Sequence, residues 1–380
     1  MAIADKAVKT LRHLVKREMG YHRCRPTHLL LFLTYRCTGR CKTCTMWQRT
    51  SEKPEMSLEQ WKNFIDTVAP LGIQNVEMFG GDALLRKDVL VPLTGYIRRK
   101  GIPEVDLVTN GNLMDRDTVR DLVSKGISTV FLSVDGVEGL QDAVRGSDGA
   151  FQKAINTIAY LKDARGMGKT PRIALNCTVS ALNVNGFEKL IDFARDQEVD
   201  AVAFEYAGEF PAECLERSAV NGIAPQPYFV SQGSSILVNR QEAIALKQKL
   251  RRIKEEKNRN TFAVITKNID TLTIENLTRG KFPNKKCYIC RYMITVDPFG
   301  NILPCAFYNN YHLGNVCADE FKDIWKNKAH RTFVNAVDRG KAELCRYCVV
   351  GVERNMTFLQ ELKKSYLIAT NTGYDEKTAS

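Results

Sequence analysis

Six apolar runs of strand length alternate with helix-like segments, and this alternation constrains the fold more than any other feature. The runs lie at residues 29–34, 74–79, 104–109, 129–134, 172–179 and 201–206. Strands that alternate with helices form parallel βα units with right-handed crossovers. We therefore expect an α/β fold, either an open doubly wound sheet or a closed or partial barrel. Its functional site should lie at the C-terminal ends of the strands.

The segments between the apolar runs carry helix signals. Ser57 stands three residues before Gln60, which is a capping-box pattern, and the segment 116–126 ends at a glycine, as many helices do. The segments 150–166 and 185–197 complete the set of predicted helices.

Cysteine content and hydropathy indicate the class of chemistry. The chain has 380 residues and twelve cysteines. It contains no run of about eighteen apolar residues that could span a membrane, and its N-terminus lacks the apolar stretch of a signal peptide. We expect a cytoplasmic protein, in which many cysteines indicate metal or redox chemistry rather than disulfides.

Part of the formal net charge of +12 lies in two segments. Residues 5–18 predict a basic amphipathic helix, which either packs on the fold by its apolar stripe or touches anionic lipid at the membrane surface. Residues 241–260 predict a solvated helix with charges of both signs. No nucleic-acid-binding motif accompanies these segments, so we expect no nucleic-acid partner.

Three cysteines follow the first apolar run on one short loop. Cys37, Cys41 and Cys44 are spaced C-x3-C-x2-C. Three thiolates can hold three irons of a [4Fe–4S] cluster and leave the fourth iron open, which is typical of a reactive site. The alternative is a zinc site completed by a distant ligand, although none of the five histidines lies in this loop.

This cysteine loop resembles the signature of the radical S-adenosylmethionine (SAM) superfamily. The resemblance covers about residues 28–206 and implies a partial (β/α)6 barrel. It also implies a [4Fe–4S] cluster whose open iron binds SAM and an electron donor such as flavodoxin or ferredoxin. SAM would be cleaved to methionine and a 5′-deoxyadenosyl radical, which removes a hydrogen atom from the substrate.

Later strand ends carry segments that match the family in order. FGGDALL (79–85) resembles its Gly-Gly-Glu-Pro segment, with Asp82 and Ala83 as departures, and Thr43 stands where an aromatic residue is usual. TNGN (109–112) and SVDG (133–136) follow the third and fourth runs. The resemblance implies a role in binding SAM for Gly80, Gly81, Asp82, Asn110, Ser133, Asp135 and Arg145.

A second group of cysteines lies near the C-terminus, around a predicted hairpin. The spacing resembles the auxiliary-cluster module called SPASM, or twitch in its short form, and implies one auxiliary [4Fe–4S] cluster. Its four ligands would come from Cys287, Cys290, Cys305, Cys345 and Cys348. A zinc site with two C-x2-C pairs is the alternative, although the gap between the pairs exceeds that of a zinc ribbon. The other cysteines are predicted to be small buried apolar residues, namely Cys24, Cys177, Cys214 and Cys317.

These features divide the chain into five parts. They are a basic N-terminal helix (1–27), a radical SAM core (28–206), a connector with a helix (207–286), a small cysteine-rich α+β iron–sulfur module (287–356) and a C-terminal helix and tail (357–380). We expected the small module to depend on metal for its core.

The sequence favours an enzyme that removes hydrogen from a small, anionic or lipid-linked substrate, with oxidation, epimerisation or rearrangement as the outcome. Only about 28 residues precede the first strand, which leaves no room for an N-terminal peptide-recognition domain. A peptide or protein maturase is the alternative, and an iron–sulfur electron carrier or sensor is the alternative of another class. Glu205, at the end of the sixth run, is either an acid–base group or a structural carboxylate.

Overall fold

The computed structural model describes residues 24–51, 53–228, 235–256, 260–266, 269–283 and 287–350. The predicted N-terminal amphipathic helix and the predicted C-terminal helix lie outside these residues. None of the helices in the described ranges is long and apolar enough to cross a membrane.

Ten strands form one sheet in the order β10-β9-β8-β1-β2-β3-β4-β5-β6-β7. Neighbouring strands from β8 through β1 to β7 are parallel, whereas β9 and β10 are added antiparallel. All six predicted runs are strands, and the predicted α/β fold with a parallel sheet is confirmed. The strands are β1 His28–Phe32, β2 Asn75–Phe79, β3 Glu104–Thr109, β4 Thr129–Ser133, β5 Arg172–Val179, β6 Ala201–Tyr206, β7 Ala263–Ile265, β8 Met293–Val296, β9 Asn301–Leu303 and β10 Gly314–Asn315.

Helices follow the strands, as the alternation predicts. The capping box of α1 is confirmed, since the Gln60 amide donates to Ser57 Oγ at 3.3 Å and the Ser57 amide donates to Gln60 Oε1 at 2.8 Å. Helices α2 and α4 were not predicted, because α2 contains Pro92 and α4 has only seven residues. The helices are α1 Leu58–Val68, α2 Lys87–Arg99, α3 Arg116–Ser124, α4 Gly139–Arg145, α5 Ala150–Arg165, α6 Lys189–Asp196, α7 Ala212–Glu216, α8 Arg240–Glu256, α9 Ile274–Arg279, α10 Ile289–Tyr292, α11 Phe321–Ile324 and α12 Lys328–Asp338.

The two faces of the parallel sheet differ in polarity. Strand register places fully buried apolar side chains on one face, among them Leu132, Leu175, Val202 and Phe204. The opposite face carries half-buried side chains, among them Phe131, Ser133, Asn176, Thr178 and Glu205. Because a strand alternates its side chains between two faces, one pattern supplies both a packed core and a polar surface.

The C-terminal cysteine-rich part extends the same sheet. Strand β8 pairs parallel with β1, with Leu29 opposite Ile294 and Leu31 opposite Val296. The predicted hairpin is present as β8–β9, whose turn has Gly300 at a φ of +86°. The apolar residues of this part belong to the same buried cluster as those of the other strands. Its apolar core is therefore shared with the rest of the sheet, and its dependence on metal stays a prediction.

Candidate active site

Backbone hydrogen bonds hold the cysteine loop after β1 on two sides. On one side, the amides of Gly81 and Asp82, after β2, donate to the carbonyl oxygens of Thr34 and Arg36 at 2.9 and 2.8 Å. On the other side, the amides that flank Cys41 donate to the last carbonyls of α4, at 3.1 Å from Arg40 to Arg145 and 3.0 Å from Lys42 to Val144. Backbone hydrogen bonds therefore set the position of the loop, and with it the three thiols.

Gly80 and Gly81 allow the loop to approach β2 closely. A Cβ atom on Gly80 would lie 2.3 Å from the Thr34 carbonyl oxygen, and one on Gly81 would lie 2.2 Å from that of Arg36. The resemblance implies that these glycines help to bind SAM, which carries an ammonium group. Because the amides of Gly81 and Asp82 already bond to the loop and an ammonium group only donates, such a contact would use carbonyl oxygens.

Asp82 and Asn110 act on the cysteine loop through Thr38. Thr38 Oγ1 donates to Asp82 Oδ2 at 2.5 Å, and Asn110 Nδ2 donates to Thr38 Oγ1 at 3.1 Å. Asn110 Nδ2 also lies 3.9 Å from Cys37 Sγ. Asp82 is 1% exposed, and burial raises the pKa of its carboxyl group while the Thr38 hydroxyl opposes that shift. The sequence interpretation missed Thr38, whose signal was its position directly after Cys37.

Asp135 and Arg145 form a buried ion pair beside Cys41. Arg145 Nη2 lies 2.9 Å from Asp135 Oδ2, and Arg145 Nη1 lies 3.8 Å from Cys41 Sγ. Arg145 Nε is buried without a hydrogen-bond partner among the described residues. Ser133 is half-buried at the end of β4, two residues before Asp135. Of the predicted SAM-binding residues, Asp135 and Arg145 therefore lie next to the cysteine loop.

The surroundings of the loop favour neutral thiols when no metal is bound. Burial raises the pKa of Cys37 to about 11 and that of Cys44 to about 12. Metal binding must therefore release protons from these groups, since the thiolate is the ligand.

The structure brings the five predicted auxiliary cysteines together. Burial raises the pKa of Cys345 well above its usual value, and the neighbouring thiols raise it further, namely Cys287, Cys348, Cys305 and Cys290. Among the cysteines predicted to be buried apolar residues, Cys317 is exposed, and that prediction is wrong. The other three, Cys24, Cys177 and Cys214, are buried.

Tyr228 lies between the two groups of cysteines. Its carbonyl oxygen accepts from the amide of Thr45, next to Cys44, at 2.9 Å, and its ring lies 5.3 Å from that of Phe307. Burial raises the pKa of Tyr228, and Cys44, Cys305 and Glu205 raise it further. The sequence interpretation missed this residue, because an aromatic residue in a segment rich in Gly, Pro and Ser carries no signal of its own.

A basic pocket of about 370 Å³ opens beside Tyr35, between the cysteine loop and the β8–β9 turn. Arg49 stacks over the rings of Tyr35 and Tyr228 at 5.1 and 5.7 Å, and its Nη1 is buried without a partner among the described residues. The carboxylate of Glu55 is shared by Arg36 and Arg86, each at 3.1 Å. The lining residues are Tyr35, Arg36, Arg49, Thr50, Ser51, Lys53, Glu55 and Phe299.

Two family models match the chain. The model of the radical SAM superfamily matches residues 31–194, and the SPASM model, an iron–sulfur cluster-binding domain, matches residues 287–349. The first model covers the cysteine loop and the ends of β2 to β5, and the second covers the five auxiliary cysteines.

Curated relatives include enzymes of different kinds. Fe-coproporphyrin III synthase of Methanosarcina barkeri is 30% identical over 48% of each chain, so the match spans about half of that relative. AdoMet-dependent heme synthase of the same organism is 27% identical over 83% of this chain and 87% of the relative. The subtilosin biosynthesis protein AlbA of Bacillus subtilis is 24% identical over 80% of this chain and 60% of its own.

Among solved structures, anSMEcpe with bound AdoMet and the Kp18Cys peptide has the same fold. Its TM-score is 0.64 at 16% identity, and the match covers 91% of this chain and 99% of that one. The two family models imply [4Fe–4S] clusters and SAM, and they favour iron–sulfur clusters over the zinc sites that the sequence left open.

The residues present fit these groups. Among the described residues, no three His, Cys, Asp or Glu side chains are arranged around a single metal ion, and in a [4Fe–4S] cluster each thiolate binds a different iron. The buried Nε of Arg145 is a donor beside the loop that suits the carboxylate of SAM. The chain is therefore a radical SAM enzyme with a SPASM iron–sulfur domain in its C-terminal part.

Proposed function

We propose that this enzyme removes a hydrogen atom from a small anionic substrate and that the auxiliary cluster accepts an electron from the resulting substrate radical. The observation that carries the proposal is the position of Tyr228. Its carbonyl oxygen accepts from the amide of Thr45, next to Cys44, and its ring packs on Phe307, two residues after Cys305. A substrate held beside Tyr228 would have a cluster site on either side. Glu205, near the end of β6, is the candidate for proton transfer in this proposal.

The proposed residue roles follow from the donors and acceptors at the strand ends. Cys37, Cys41 and Cys44 would hold the [4Fe–4S] cluster at the loop after β1, which we call the barrel cluster. Four of the five C-terminal cysteines would hold the auxiliary cluster. When bound, the barrel cluster supplies the electron, received from a flavodoxin or ferredoxin, that cleaves SAM and yields the hydrogen-abstracting radical. Arg145 Nε and Ser133 would orient the carboxylate of SAM, and the carbonyl oxygens of Gly80 and Gly81 would receive its ammonium group.

An anionic substrate is favoured by the basic pocket beside Tyr35. Glu55 is already shared by two arginines, so the described lining leaves Arg49 and Lys53 without a carboxylate within ion-pair distance. A carboxylate or phosphate that reaches Arg49 Nη1 would satisfy a buried donor, which otherwise costs about 1–3 kcal/mol. A relative matched over most of both chains is a heme synthase, and we propose a substrate with carboxylate groups of that general kind.

A peptide substrate is the second candidate. AlbA, a bacteriocin biosynthesis protein, matches 80% of this chain, and anSMEcpe was solved with a peptide. A peptide that enters between the cysteine loop and the β8–β9 turn would meet Arg49 through a backbone carbonyl or an acidic side chain.

The first experiment tests the reaction class. Enzyme reconstituted anaerobically and reduced with dithionite should form 5′-deoxyadenosine from SAM slowly without substrate, and Cys41→Ala should abolish this product. Continued cleavage by the Cys41→Ala variant would contradict the assignment of the loop.

The second experiment tests the substrate class. Fe-coproporphyrin III, a tetrapyrrole with carboxylate side chains, and a cysteine-containing peptide are compared as stimulants of 5′-deoxyadenosine formation. Arg49→Gln should raise the half-saturating concentration of the anionic stimulant at least about tenfold, the effect of about 1.4 kcal/mol. Arg99→Gln is the matched control, because Arg99 stacks over the ring of Tyr96 at 5.6 Å in the same way, on α2. Stimulation by the peptide alone, unchanged in Arg49→Gln, would favour the maturase.

A further inference from the structure

We propose that Arg145 is a positioning residue that fixes a positive charge at Cys41 and thereby raises the reduction potential of the barrel cluster. The inference depends on binding of that cluster and not on which substrate the enzyme uses. Arg145 has three nitrogens and three different surroundings. Nη2 faces Asp135 at 2.9 Å, Nη1 faces Cys41 Sγ at 3.8 Å, and Nε is buried without a hydrogen-bond partner among the described residues.

Asp135 is itself held rigidly. Its Oδ1 accepts from the amide of Thr178 at 2.7 Å, and its carbonyl oxygen accepts from Asn183 Nδ2 at 2.7 Å. Its amide donates to Gln141 Oε1 at 2.7 Å. The carboxylate is 0% exposed, so it cannot turn to solvent without breaking this network. The anchor of Arg145 therefore stays in place whether or not a ligand is bound.

The backbone fixes the distance from Arg145 to Cys41. The amides of Arg40 and Lys42, on either side of Cys41, bond to the carbonyls of Arg145 and Val144. Gly146 has a φ of +57°, and a Cβ atom there would lie 2.4 Å from the Arg40 carbonyl oxygen. The end of α4 and the loop can approach this closely only because residue 146 is glycine. The Arg145 guanidinium group and the Cys41 thiol thus lie on two segments, the end of α4 and the cysteine loop, whose backbones are hydrogen-bonded to each other.

Charge and burial set the sign of the effect. Reduction adds one negative charge to a cluster, and a nearby cation favours the reduced form. The Arg145 side chain is only 14% exposed, so solvent and salt screen it weakly. Asp135 and Asp82 are the opposing carboxylates, since Asp135 pairs with Arg145 and Asp82 accepts from Thr38, directly after Cys37. In the Arg145–Asp135 pair, the guanidinium group is the one that contacts Cys41 Sγ. Arg40, directly before Cys41, is exposed, and its charge is screened by water.

The test is a redox titration of the barrel cluster followed by electron paramagnetic resonance, without SAM. Arg145→Gln removes the cation but keeps a hydrogen-bond donor. We expect at least a tenfold decrease in the ratio of reduced to oxidised cluster at a fixed potential, which is a shift of about 59 mV for one electron. Arg40→Gln is the matched control, since it removes the same charge next to the same cysteine from an exposed position, and its potential should equal that of the wild type.

A second variant keeps the test decisive if Arg145→Gln does not retain iron. Arg145→Lys keeps the charge, but its single nitrogen can serve Asp135 or Cys41 and not both. Its potential should fall below those of the wild type and of Arg40→Gln, by less than in Arg145→Gln. At full iron content, a potential in Arg145→Gln that equals that of Arg40→Gln would overturn the proposal. A fall of about 59 mV or more in Arg145→Lys, which keeps the charge, would also overturn it.

Discussion

A Cβ atom on Gly81 would lie 2.2 Å from the carbonyl oxygen of Arg36, a distance that real Cβ atoms essentially never show. The contact is with backbone, which cannot turn aside as a flexible side chain does. The end of β2 and the start of the cysteine loop therefore fit together only when residue 81 has no side chain.

Gly81→Ala should displace the cysteine loop. We expect a loss of about 1–3 kcal/mol in unfolding free energy from overpacking, and a reduced iron content. Urea unfolding and iron analysis after anaerobic reconstitution measure the two effects. Gly139→Ala, at the start of α4, is the matched control, because a Cβ atom there meets nothing within 4 Å. Equal iron content in the two variants would show that the loop tolerates the displacement.

Iron content distinguishes the two cysteine groups. Two [4Fe–4S] clusters give about eight irons per chain. Replacing Cys37, Cys41 and Cys44 together by Ala should leave about half of that iron, because the auxiliary cysteines keep their own cluster. Stoichiometric zinc in the wild-type protein, with little iron, would contradict both assignments.

His330 should stabilise the auxiliary site through the backbone of Cys290. Its Nε2 lies 2.7 Å from the Cys290 carbonyl oxygen and must donate, while Nδ1 accepts from the Lys326 amide at 3.2 Å. The ring is therefore neutral, in keeping with burial that lowers its pKa to about 4. His330→Leu leaves both partners unsatisfied and should cost about 1–3 kcal/mol in unfolding free energy.

His312 offers the control for this variant. It contacts the Asn309 carbonyl oxygen at 3.1 Å but is exposed, so water can replace the contact after His312→Leu. In urea unfolding, His330→Leu should unfold at a lower urea concentration than His312→Leu. If His330→Leu and His312→Leu unfold at the same urea concentration, the buried hydrogen bonds contribute little.

Loss of the auxiliary cluster should leave SAM cleavage in place. Replacing Cys345 and Cys348 by Ala removes two thiols that lie beyond β8, whereas the barrel thiols lie on the loop after β1. We expect this variant to form 5′-deoxyadenosine but, with the correct substrate, no oxidised product. Complete loss of 5′-deoxyadenosine, with the barrel cluster intact by spectroscopy, would show that SAM cleavage also needs the auxiliary cluster. It would contradict the separate roles proposed for the two clusters.

Local patterns predicted the strands and several helices, since each depends on a few neighbouring residues. Apolar runs gave β1 to β6, and Ser57 with Gln60 gave the start of α1. The pairing of β8 with β1 could not be predicted in this way, because it joins residues from opposite ends of the chain.

For the site too, residues in short motifs could be predicted from the sequence, whereas residues brought into place by the fold could not. The cysteines and strand-end residues were found because each stands in a short motif, and their individual roles stay predictions. Tyr228, Thr38 and Arg49 gain their positions only from folding, and no motif marks them. Gly80 and Gly81, after β2, were predicted to bind SAM, and the close contact that they make in the structure is with the backbone of the cysteine loop.

The pairing of β1 with β8 has a consequence for synthesis of the protein. When β1 to β6 have left the ribosome, β1 still presents an unpaired edge, because Met293–Val296 are made much later. Unpaired strand edges are sites of aggregation. The nascent chain must therefore carry an open sheet edge, next to the three cysteines of the loop, through most of translation. Slow synthesis of the region between β7 and β8 should lower the yield of native protein without changing a single residue.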